Sequence, residues 1–472
     1  MNLYQYSDSN KRYYTLDYFY KQKFGCKVAK ISLNGNFTCP NIDGTVGFGG
    51  CIFCSKLGSG DFAGKKEDSL EKQFNDIKTI IDKKWHNTKY IAYFQANTNT
   101  YAPINILKQK YETVLKFDNV IGLSIATRAD SITLECLDYL ENLAKRTYLT
   151  IELGLQTIHE KTSKLINRGH DLETFDKMVK KLRSKNINVV VHIINGLPYE
   201  TKEMMIETVK HLNKLDIQGI KIHMLHILKN TQLAKLYNIK PFKVLTKEEY
   251  IDIVVCQLEN LNSNIVINRI TGDPNIDDLI EPNWLTKKLT VLNDIDKLLA
   301  KRNTYQGFNL SILNKVKQIM SENIKLNDIV IDTNYDNLDN SLFLSKLSNK
   351  VYTFDIQNNT KKLVQNITVI NDCYSNISNY FKENTVTLIN FNLGYLSDKT
   401  IKTNYKTTIK AIKNGLTLLN MKGIILITIY SYYEESTEIK KYLNKNKIVY
   451  HKYHNTCNSK DPYLIEIKKK EN

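Results

Sequence analysis

The segment KVAKISLNGNFTCPNIDGTVGFGGCIFC, residues 27–54, joins a short apolar run to a glycine-rich loop that contains three cysteines. The run VAKISL has the composition of a buried β-strand. Cys39, Cys51 and Cys54 fall within sixteen positions, although the 472-residue chain has only eight cysteines. Three thiolates can hold three irons of a [4Fe–4S] cluster and leave the fourth iron open, whereas a closed structural zinc site needs a fourth protein ligand. The loop therefore favours an iron–sulfur cluster over structural zinc.

The remaining cysteines and the apolar runs bear on the cellular compartment. Each of the other cysteines stands alone and is interpreted as a core residue or a spare thiol: Cys26, Cys136, Cys256, Cys373 and Cys457. The longest apolar run, GIILITIY, is too short to cross a bilayer, and no apolar targeting segment follows the polar start. We expect a cytoplasmic protein without a membrane partner, in a compartment where thiols stay reduced.

The charge balance points to a polyanionic partner. The formal net charge is +17 and the isoelectric point is about 9.2. Lys and Arg side chains that neutralise phosphates give RNA-binding proteins much of their affinity. The chain is also rich in Lys, Asn, Ile and Tyr throughout, as an AT-rich genome would produce. Charge alone therefore gives RNA binding only modest support.

Strand and helix patterns alternate along the first half of the chain. Short β-branched runs predict strands at 28–33, 89–95, 120–128, 147–156, 187–196 and 217–227, each followed by a helical pattern. This order predicts a parallel β/α array. Polar residues stand at the strand ends, where barrels place their sites: Gln95, Arg128, Gln156, Asn195 and His226. We expect these side chains and the cysteine loop to face one pocket.

A second alternation begins near residue 306, and the length of the chain also suggests more than one domain. Its strands and helices predict an open α/β sheet, which binds its ligand at the strand C-termini. Asp355 ends the second of these strands, where a carboxylate can accept hydrogen bonds from ribose hydroxyls. The predicted domains are residues 1–306 and 307–472.

Residues 10–306 resemble the radical S-adenosylmethionine (SAM) enzymes, and in particular a subfamily with the spacing Cys-x11-Cys-x2-Cys. Besides the cysteine loop, the motifs that carry the resemblance are YIAYFQANTNTYAP (90–103), ELGLQT (152–157), INRGHD (166–171), HIINGLP (192–198) and NRITGD (268–273). The resemblance implies a partial (β/α)6 barrel that binds a [4Fe–4S] cluster and SAM. It also implies a 5′-deoxyadenosyl radical and an electron donor such as flavodoxin or ferredoxin.

The same resemblance implies a set of SAM-binding residues. Gln95 and Asn97 could hold the amino group of SAM, and Glu152 its ribose or amino group. Arg168 could pair with the SAM carboxylate through charge-assisted hydrogen bonds. Gly196 would let the backbone approach the adenine. The alternative for Glu152 and Arg168 is an ordinary ion pair at the barrel mouth.

The residues that contact the substrate are less well marked by the sequence. Arg269 and Asp273 are the first catalytic candidates, because the segment NRITGD matches the subfamily. His223, His226 and Lys287 lie on neighbouring segments. The alternative is that these are solvated surface side chains. Spacing alone assigns no general acid or base.

Residues 307–472 resemble a class I SAM-dependent methyltransferase family known as putative rRNA methylases, which includes tRNA 5-aminomethyl-uridine methyltransferases. The match lies in VIDTNYDNLDNSLFLSKL (329–346), FDIQ (354–357), INFNLGYLSDKTIKT (389–403), LLNMKGIILITIY (418–430) and NSKDPYLIEIKK (458–469). The resemblance implies a Rossmann-like domain in which Asp332 and Asp355 contact SAM and Asn392 is a catalytic candidate.

The C-terminal half departs from this pattern at two places. The family's glycine-rich loop after the first strand is lost, since Asp336 and Leu338 replace its two glycines. Side chains at these positions would crowd the cofactor. The family's His-Pro-Gly-Gly segment is replaced by SYYEES. We therefore expect a methyltransferase half that is either weakened or inactive.

Together the two resemblances imply a bifunctional enzyme of tRNA wobble-uridine maturation. The radical half would convert 5-carboxymethylaminomethyl-(2-thio)uridine to 5-aminomethyl-(2-thio)uridine, and the C-terminal half would methylate the exposed amine. The alternative is a radical SAM enzyme acting on another substrate, such as a peptide or small metabolite, with a non-catalytic RNA-binding or scaffold domain at its C-terminus.

Overall fold

A computed structural model describes residues 6–469, except residues 56–57, 59, 61, 287, 334–337, 357–365, 394–403, 430–433 and 455–462. The chain divides into two compact units, Met1–Phe308 and Asn309–Asn472. No helix in the described ranges is both long and apolar enough to cross a membrane.

The first unit alternates strands with helices. Its strands are β1 (Val28–Leu33), β2 (Lys89–Phe94), β3 (Val120–Thr127), β4 (Tyr148–Gln156), β5 (Asn188–Asn195), β6 (Gly219–Met224), β7 (Ile227–Leu228), β8 (Val266–Arg269) and β9 (Leu279–Glu281). Its helices are α1 (Leu16–Phe24), α2 (Leu70–Asp82), α3 (Ile104–Leu115), α4 (Leu134–Ala144), α5 (Glu160–Leu165), α6 (Leu172–Ser184), α7 (Lys202–Leu212), α8 (Gln232–Ile239), α9 (Lys247–Glu259) and α10 (Lys288–Arg302).

Capping side chains decide where many of these helices begin. In seven cases a Ser, Thr or Asp accepts a hydrogen bond from the backbone N–H three residues further on. These N-caps are Thr15, Ser69, Thr133, Asp171, Thr201, Thr231 and Thr246. The capping contact satisfies an N–H that the first helical turn leaves unpaired. It therefore fixes the start of each helix.

The central sheet of the first unit has the strand order β1-β2-β3-β4-β5-β6-β8 within the described residues, and all neighbouring strands are parallel. Fully buried aliphatic side chains on consecutive strands form its core, among them Ile31, Leu123, Ile151, Val191 and Ile222. The predicted open β/α barrel is thus confirmed. The sequence did not predict the short strand β8, which extends the sheet beyond β6.

The second unit contains another α/β sheet. Its elements are α11 (Ile312–Asn323), β10 (Ile329–Asp332), α12 (Leu338–Leu344), β11 (Lys350–Phe354), β12 (Ile367–Ile370), β13 (Val386–Leu393), α13 (Tyr405–Leu418), β14 (Leu419–Ile429), α14 (Glu434–Lys445), β15 (His451–His454) and β16 (Tyr463–Lys468).

In the described part of this unit the strand order is β12-β11-β10-β13-β14-β16-β15. Strands β10 to β14 pair in parallel, and β16 runs antiparallel to both β14 and β15. The strand order reverses direction between β10 and β13, and such a switch point is where open sheets of this type bind ligands. The predicted Rossmann-like sheet is confirmed.

Candidate active site

A cavity of about 300 Å³ opens at the C-terminal ends of the strands of the first unit. Parallel strands present these ends at one edge, so residues far apart in sequence meet there. Most of the predicted site residues of this unit line the cavity: Cys39, Cys51, Cys54, Gln95, Asn97, Glu152, Arg168, His223, His226, Arg269 and Asp273. The strand-end residues Arg128 and Gln156 line it as well. Four of the five predicted strand-end residues thus face this cavity, whereas Asn195 borders a second, small pocket, so the expectation of one shared pocket is wrong for Asn195.

The cysteine loop is held in place by its own backbone and by two asparagines. The backbone N–H of Gly50 donates to the carbonyl of Asn41 at 2.7 Å, and Gly50 has φ +74°, a conformation that favours glycine. The side chain of Asn167 donates to the carbonyl of Gly50 at 2.8 Å. This contact ties the loop to the segment that follows α5.

The thiols on this loop lie in an electropositive environment. The pKa of Cys51 is lowered to about 7, chiefly because its sulfur accepts a hydrogen bond from Cys54, with further contributions from Arg128, Asn41 and Arg168. The Cys54 thiol has a raised pKa, because it donates that bond and is buried. Thiolate is the form that ligates iron. The site thus favours the thiolate form of Cys51 over that of Cys54.

The donor set fits a thiolate-bound cluster. The three thiols share one cavity, and cationic side chains lie near Cys51, where they would offset the negative charge of thiolates. Across the described ranges, no three His, Cys, Asp or Glu side chains converge tightly enough to hold a single metal ion. The residues Cys39, Cys51 and Cys54 would hold a [4Fe–4S] cluster; that assignment stays a prediction.

Arg168 is almost fully buried beside the cysteine loop. Its Nη1 donates to the carbonyls of Leu155 and Thr157, both at 2.7 Å, and its Nε donates to the carbonyl of His170 at 2.9 Å. Its Nη2 has no hydrogen-bond partner in the described part of the chain and lies 3.6 Å from a Glu160 oxygen. The backbone therefore fixes the guanidinium and leaves one nitrogen for an additional acceptor.

Glu152 lies at the centre of a buried ion cluster. Its carboxylate accepts hydrogen bonds from Ser124 at 2.6 Å, Lys30 at 2.5 Å, Lys221 and His192. Burial alone would raise the pKa of Glu152, but Lys221, Lys30 and His192 hold it well below its usual range. The ion-pair alternative thus describes Glu152 in this structure. Its predicted contact with SAM requires one of these partners to move.

The sequence analysis missed the partners of Glu152. Lys30, His192 and Lys221 lie inside buried strands rather than at strand ends. The sequence nevertheless held a clue to these residues: a charged or polar side chain within an apolar strand needs a buried partner. Burial lowers the pKa of Lys221 to about 7 even though Glu152 opposes this shift.

The remaining predicted SAM contacts separate into two locations. Gln95 and Asn97 follow β2 and line the cavity, and Asn97 donates to the carbonyl of Phe37 at 3.0 Å. Gly196 does not line this cavity. It borders a small apolar pocket, and a Cβ at this position would lie 3.2 Å from Leu245. The adenine contact at Gly196 therefore has no support from the cavity lining.

The two catalytic candidates of the first unit have different environments. Asp273 forms an ion pair with Lys288, with its Oδ2 2.5 Å from the Lys288 Nζ. Arg269 ends strand β8 and faces the cavity. Lys287 lies outside the described residues. Arg269 is therefore the better placed of the two to contact a ligand.

The predicted residues of the second unit lie at the ends of neighbouring strands. Asp332 is buried and accepts hydrogen bonds from Asn390 at 3.0 Å and Ser341 at 2.8 Å. Asp355 follows β11, and its N–H donates to the carbonyl of Ile370 at 3.0 Å. The buried Oδ1 of Asn392 has no hydrogen-bond partner among the described residues.

Of the two residues that replace the family's glycines, one lies among the described residues. Asp336 lies outside the described residues, and Leu338 begins α12. The consequence of losing these glycines for cofactor binding stays a prediction.

Family models match most of the chain. The Radical SAM superfamily model matches residues 45–212, and the Radical SAM C-terminal domain model matches residues 217–301. The family described as Putative rRNA methylase matches residues 351–465. The molecule is an enzyme with a radical SAM unit and a methyltransferase-like unit. The chain belongs to the radical SAM superfamily, whose members use SAM and a [4Fe–4S] cluster.

Individual relatives match one half of the chain or the other. The uncharacterized protein YtqA of Bacillus subtilis is 51% identical over 306 residues, which cover 65% of this chain and 95% of YtqA. The tRNA uridine(34) acetyltransferase of Methanocaldococcus infernus is 26% identical over 137 residues, 28% of this chain and 25% of that enzyme. A crystal structure of a putative rRNA-methylase from Clostridium thermocellum is 29% identical and covers 34% of this chain and 98% of that one, with a TM-score of 0.31.

Proposed function

We propose that this chain matures the wobble uridine of tRNA in two steps. The first unit removes the carboxymethyl part of 5-carboxymethylaminomethyl-(2-thio)uridine and leaves 5-aminomethyl-(2-thio)uridine. The second unit then methylates the amine to give 5-methylaminomethyl-(2-thio)uridine. The observation that carries this proposal is the cavity in which a three-cysteine loop faces a cationic and histidine-rich wall. The family matches of the two halves support a radical SAM step and a methyl transfer on one chain.

The cavity residues would divide the work of the first step. When bound, the cluster and SAM would supply a 5′-deoxyadenosyl radical that takes a hydrogen atom from the carboxymethyl carbon. Loss of one further electron to an acceptor such as the oxidised cluster would give an imine, and water would hydrolyse this imine to the aminomethyl group and glyoxylate. Cys39, Cys51 and Cys54 would hold the iron. Gln95, which follows β2, and Arg168, in the segment after α5, would orient SAM. An electron donor of the flavodoxin or ferredoxin type would reduce the cluster.

A tRNA substrate agrees with two further observations. The net charge of +17 suits a phosphate-rich partner. One relative is named for its action on uridine 34 of tRNA, although the similarity covers only 28% of this chain. The proposed compartment is the cytoplasm.

The test is mass spectrometry of tRNA nucleosides after anaerobic incubation with SAM, a reductant and tRNA bearing 5-carboxymethylaminomethyl-uridine. The methylated product is expected if both units act. Aminomethyl-uridine alone would mean that only the first unit acts. An unchanged nucleoside together with 5′-deoxyadenosine would show that the substrate is wrong. The variant Cys51→Ser should stop the first step, whereas Cys256→Ser, on α9 outside the cavity, should not.

A non-catalytic second unit is the competing proposal, favoured by the replacement of both glycines in the loop after β10. It can be tested on the full chain with Cys39, Cys51 and Cys54 changed to alanine, which removes the cluster-dependent SAM site. Saturable SAM binding that Asp355→Ala abolishes would support a methyltransferase. Absence of saturable binding would support a scaffold or RNA-binding role.

A further inference from the structure

One cationic side chain that lines the cavity has no partner among the described residues. Four described Arg or Lys side chains line the cavity, and three of them are engaged: Arg128 pairs with Asp130, Arg168 with backbone carbonyls and Lys221 with Glu152. Arg269 makes no hydrogen bond or ion pair with any other described residue. A lone exposed arginine is often simply solvated. Arg269, however, has other polar groups beside it in the cavity, and these suggest a binding site.

Two half-buried histidines beside Arg269 each have an unsatisfied nitrogen. The Nε2 atoms of His223 and His226 are buried and have no hydrogen-bond partner among the described residues, and both residues line the cavity. Both rings pack against Gly272, where an added Cβ would lie 3.0 Å from His223 Nδ1 and 3.2 Å from His226 Cε1. An unsatisfied buried polar atom is costly, so two in one place indicate a missing acceptor or donor.

The charge state of these histidines defines what they can bind. Burial lowers the pKa of both imidazoles, that of His226 to about 4. Both rings are therefore neutral near pH 7, and each can donate one N–H. A carboxylate accepts several hydrogen bonds through two oxygens. One guanidinium and two neutral imidazoles would supply one positive charge and several donors, which matches a single carboxylate.

We propose that Arg269, His223 and His226 form a carboxylate subsite that holds the carboxymethyl carboxylate of the modified uridine. This inference rests on the proposed function and names the group that the first unit recognises. Arg269 ends β8 and is the register partner of Lys221 on β6, while Arg168 follows β4. Strands β4 and β8 are three positions apart in the sheet, or roughly 14 Å at the usual strand spacing. Arg269 and the Leu155 carbonyl that holds Arg168 therefore lie on different strands of the sheet.

Binding without turnover tests the subsite. The ligands would be two anticodon stem–loop RNAs that differ only at C5 of the wobble uridine. One RNA carries the carboxymethylaminomethyl group there, and the other carries its methyl ester. Their Kd values would be measured by anaerobic fluorescence anisotropy on the full chain without SAM. We expect the wild-type chain to bind the acid about tenfold more tightly than the ester, as for one charge-assisted contact. Arg269→Gln should bring that ratio to about one and leave the ester's Kd unchanged.

A matched control separates this effect from general loss of positive charge. Arg146→Gln removes the same charge from an exposed pair with Glu112 on the surface of the first unit. It should change the affinities for acid and ester equally. His226→Phe should reduce the preference for the acid without lowering the melting temperature, because it removes a buried atom that lacks a partner.

Three results would overturn the proposal. A wild-type chain that binds acid and ester equally would do so, as would an Arg269→Gln variant that keeps the preference. The third is a tenfold loss of SAM affinity in Arg269→Gln, which would assign the subsite to the carboxylate of SAM. Failure of the proposed reaction would look different. A chain that binds the acid more tightly but forms no product with SAM and reductant would support the subsite and contradict the proposed reaction.

Discussion

At the scale of single residues, the buried carboxylate of Glu152 organises the floor of the cavity. It receives hydrogen bonds from side chains on β1, β3, β5 and β6, so together with β4 it joins five of the seven described strands of the sheet. Removal of one member of a buried ionic group leaves the others without compensation, which is more costly than the loss of an exposed ion pair. The sequence marks Glu152 as a site residue but does not show this set of partners.

Glu152→Gln should destabilise the first unit by about 3–5 kcal/mol, because Lys30 and Lys221 would lose the carboxylate that compensates for their burial. Glu112→Gln, which breaks an exposed pair with Arg146, should cost less than about 1 kcal/mol. Urea unfolding followed by tryptophan fluorescence would compare the two. Equal midpoints for the two variants would contradict the role given to Glu152.

The same carboxylate predicts a dependence of stability on pH. The pKa of Glu152 is lower in the folded chain than the value of about 4.3 for an unfolded glutamate. Its contribution is therefore fully present above about pH 4.3 and is lost as the pH falls towards the folded pKa. The difference in urea midpoint between wild type and Glu152→Gln should therefore shrink as the pH falls below about 4.3. A difference that persists at acid pH would contradict this origin.

At the scale of secondary structure, the sequence predicted long apolar strands well and short polar ones poorly. The predicted run at 28–33 coincides with β1, and its neighbours agree with β2 to β6 within a few residues. Strand β8 has only four residues, and β15 has the sequence HKYH, which lacks an apolar alternation. Both depend on pairing with a neighbouring strand, which local sequence does not reveal. Arg269 was therefore found through its motif rather than through its strand.

The cysteine loop gives a prediction at this scale, because its conformation depends on glycine. Gly50 has φ +74°, and a Cβ there would lie 3.2 Å from Ile42, so Gly50→Ala should distort the loop. Gly25 also has positive φ, at the end of α1, but open space surrounds it. After anaerobic reconstitution, we expect Gly50→Ala to lose at least half of the bound iron and Gly25→Ala to keep it. Equal iron contents would show that the loop tolerates the strain.

At the scale of the whole molecule, the chain joins two sheets that both place polar residues at their strand ends. The cavity of the first unit is lined by residues spread from Cys39 to Asp273, and the cluster of acidic and amide groups in the second unit lies on β10, on β13 and after β11. Sequence motifs predicted both sets because strand ends in a parallel sheet share one edge. They could not predict the hydrogen bonds that occupy Glu152 or Asp332, which come from residues distant in sequence.

Two sites on one chain predict that each step can be lost without the other. Cys51→Ser should abolish the removal of the carboxymethyl group, yet the same variant should still methylate tRNA that already carries aminomethyl-uridine. Asp355→Ala should show the reverse, with aminomethyl-uridine accumulating because SAM binding in the second unit is weakened. Nucleoside mass spectrometry on both substrates would measure the two activities separately. Loss of methylation in Cys51→Ser would contradict independent sites, since that thiol lines the cavity of the first unit alone.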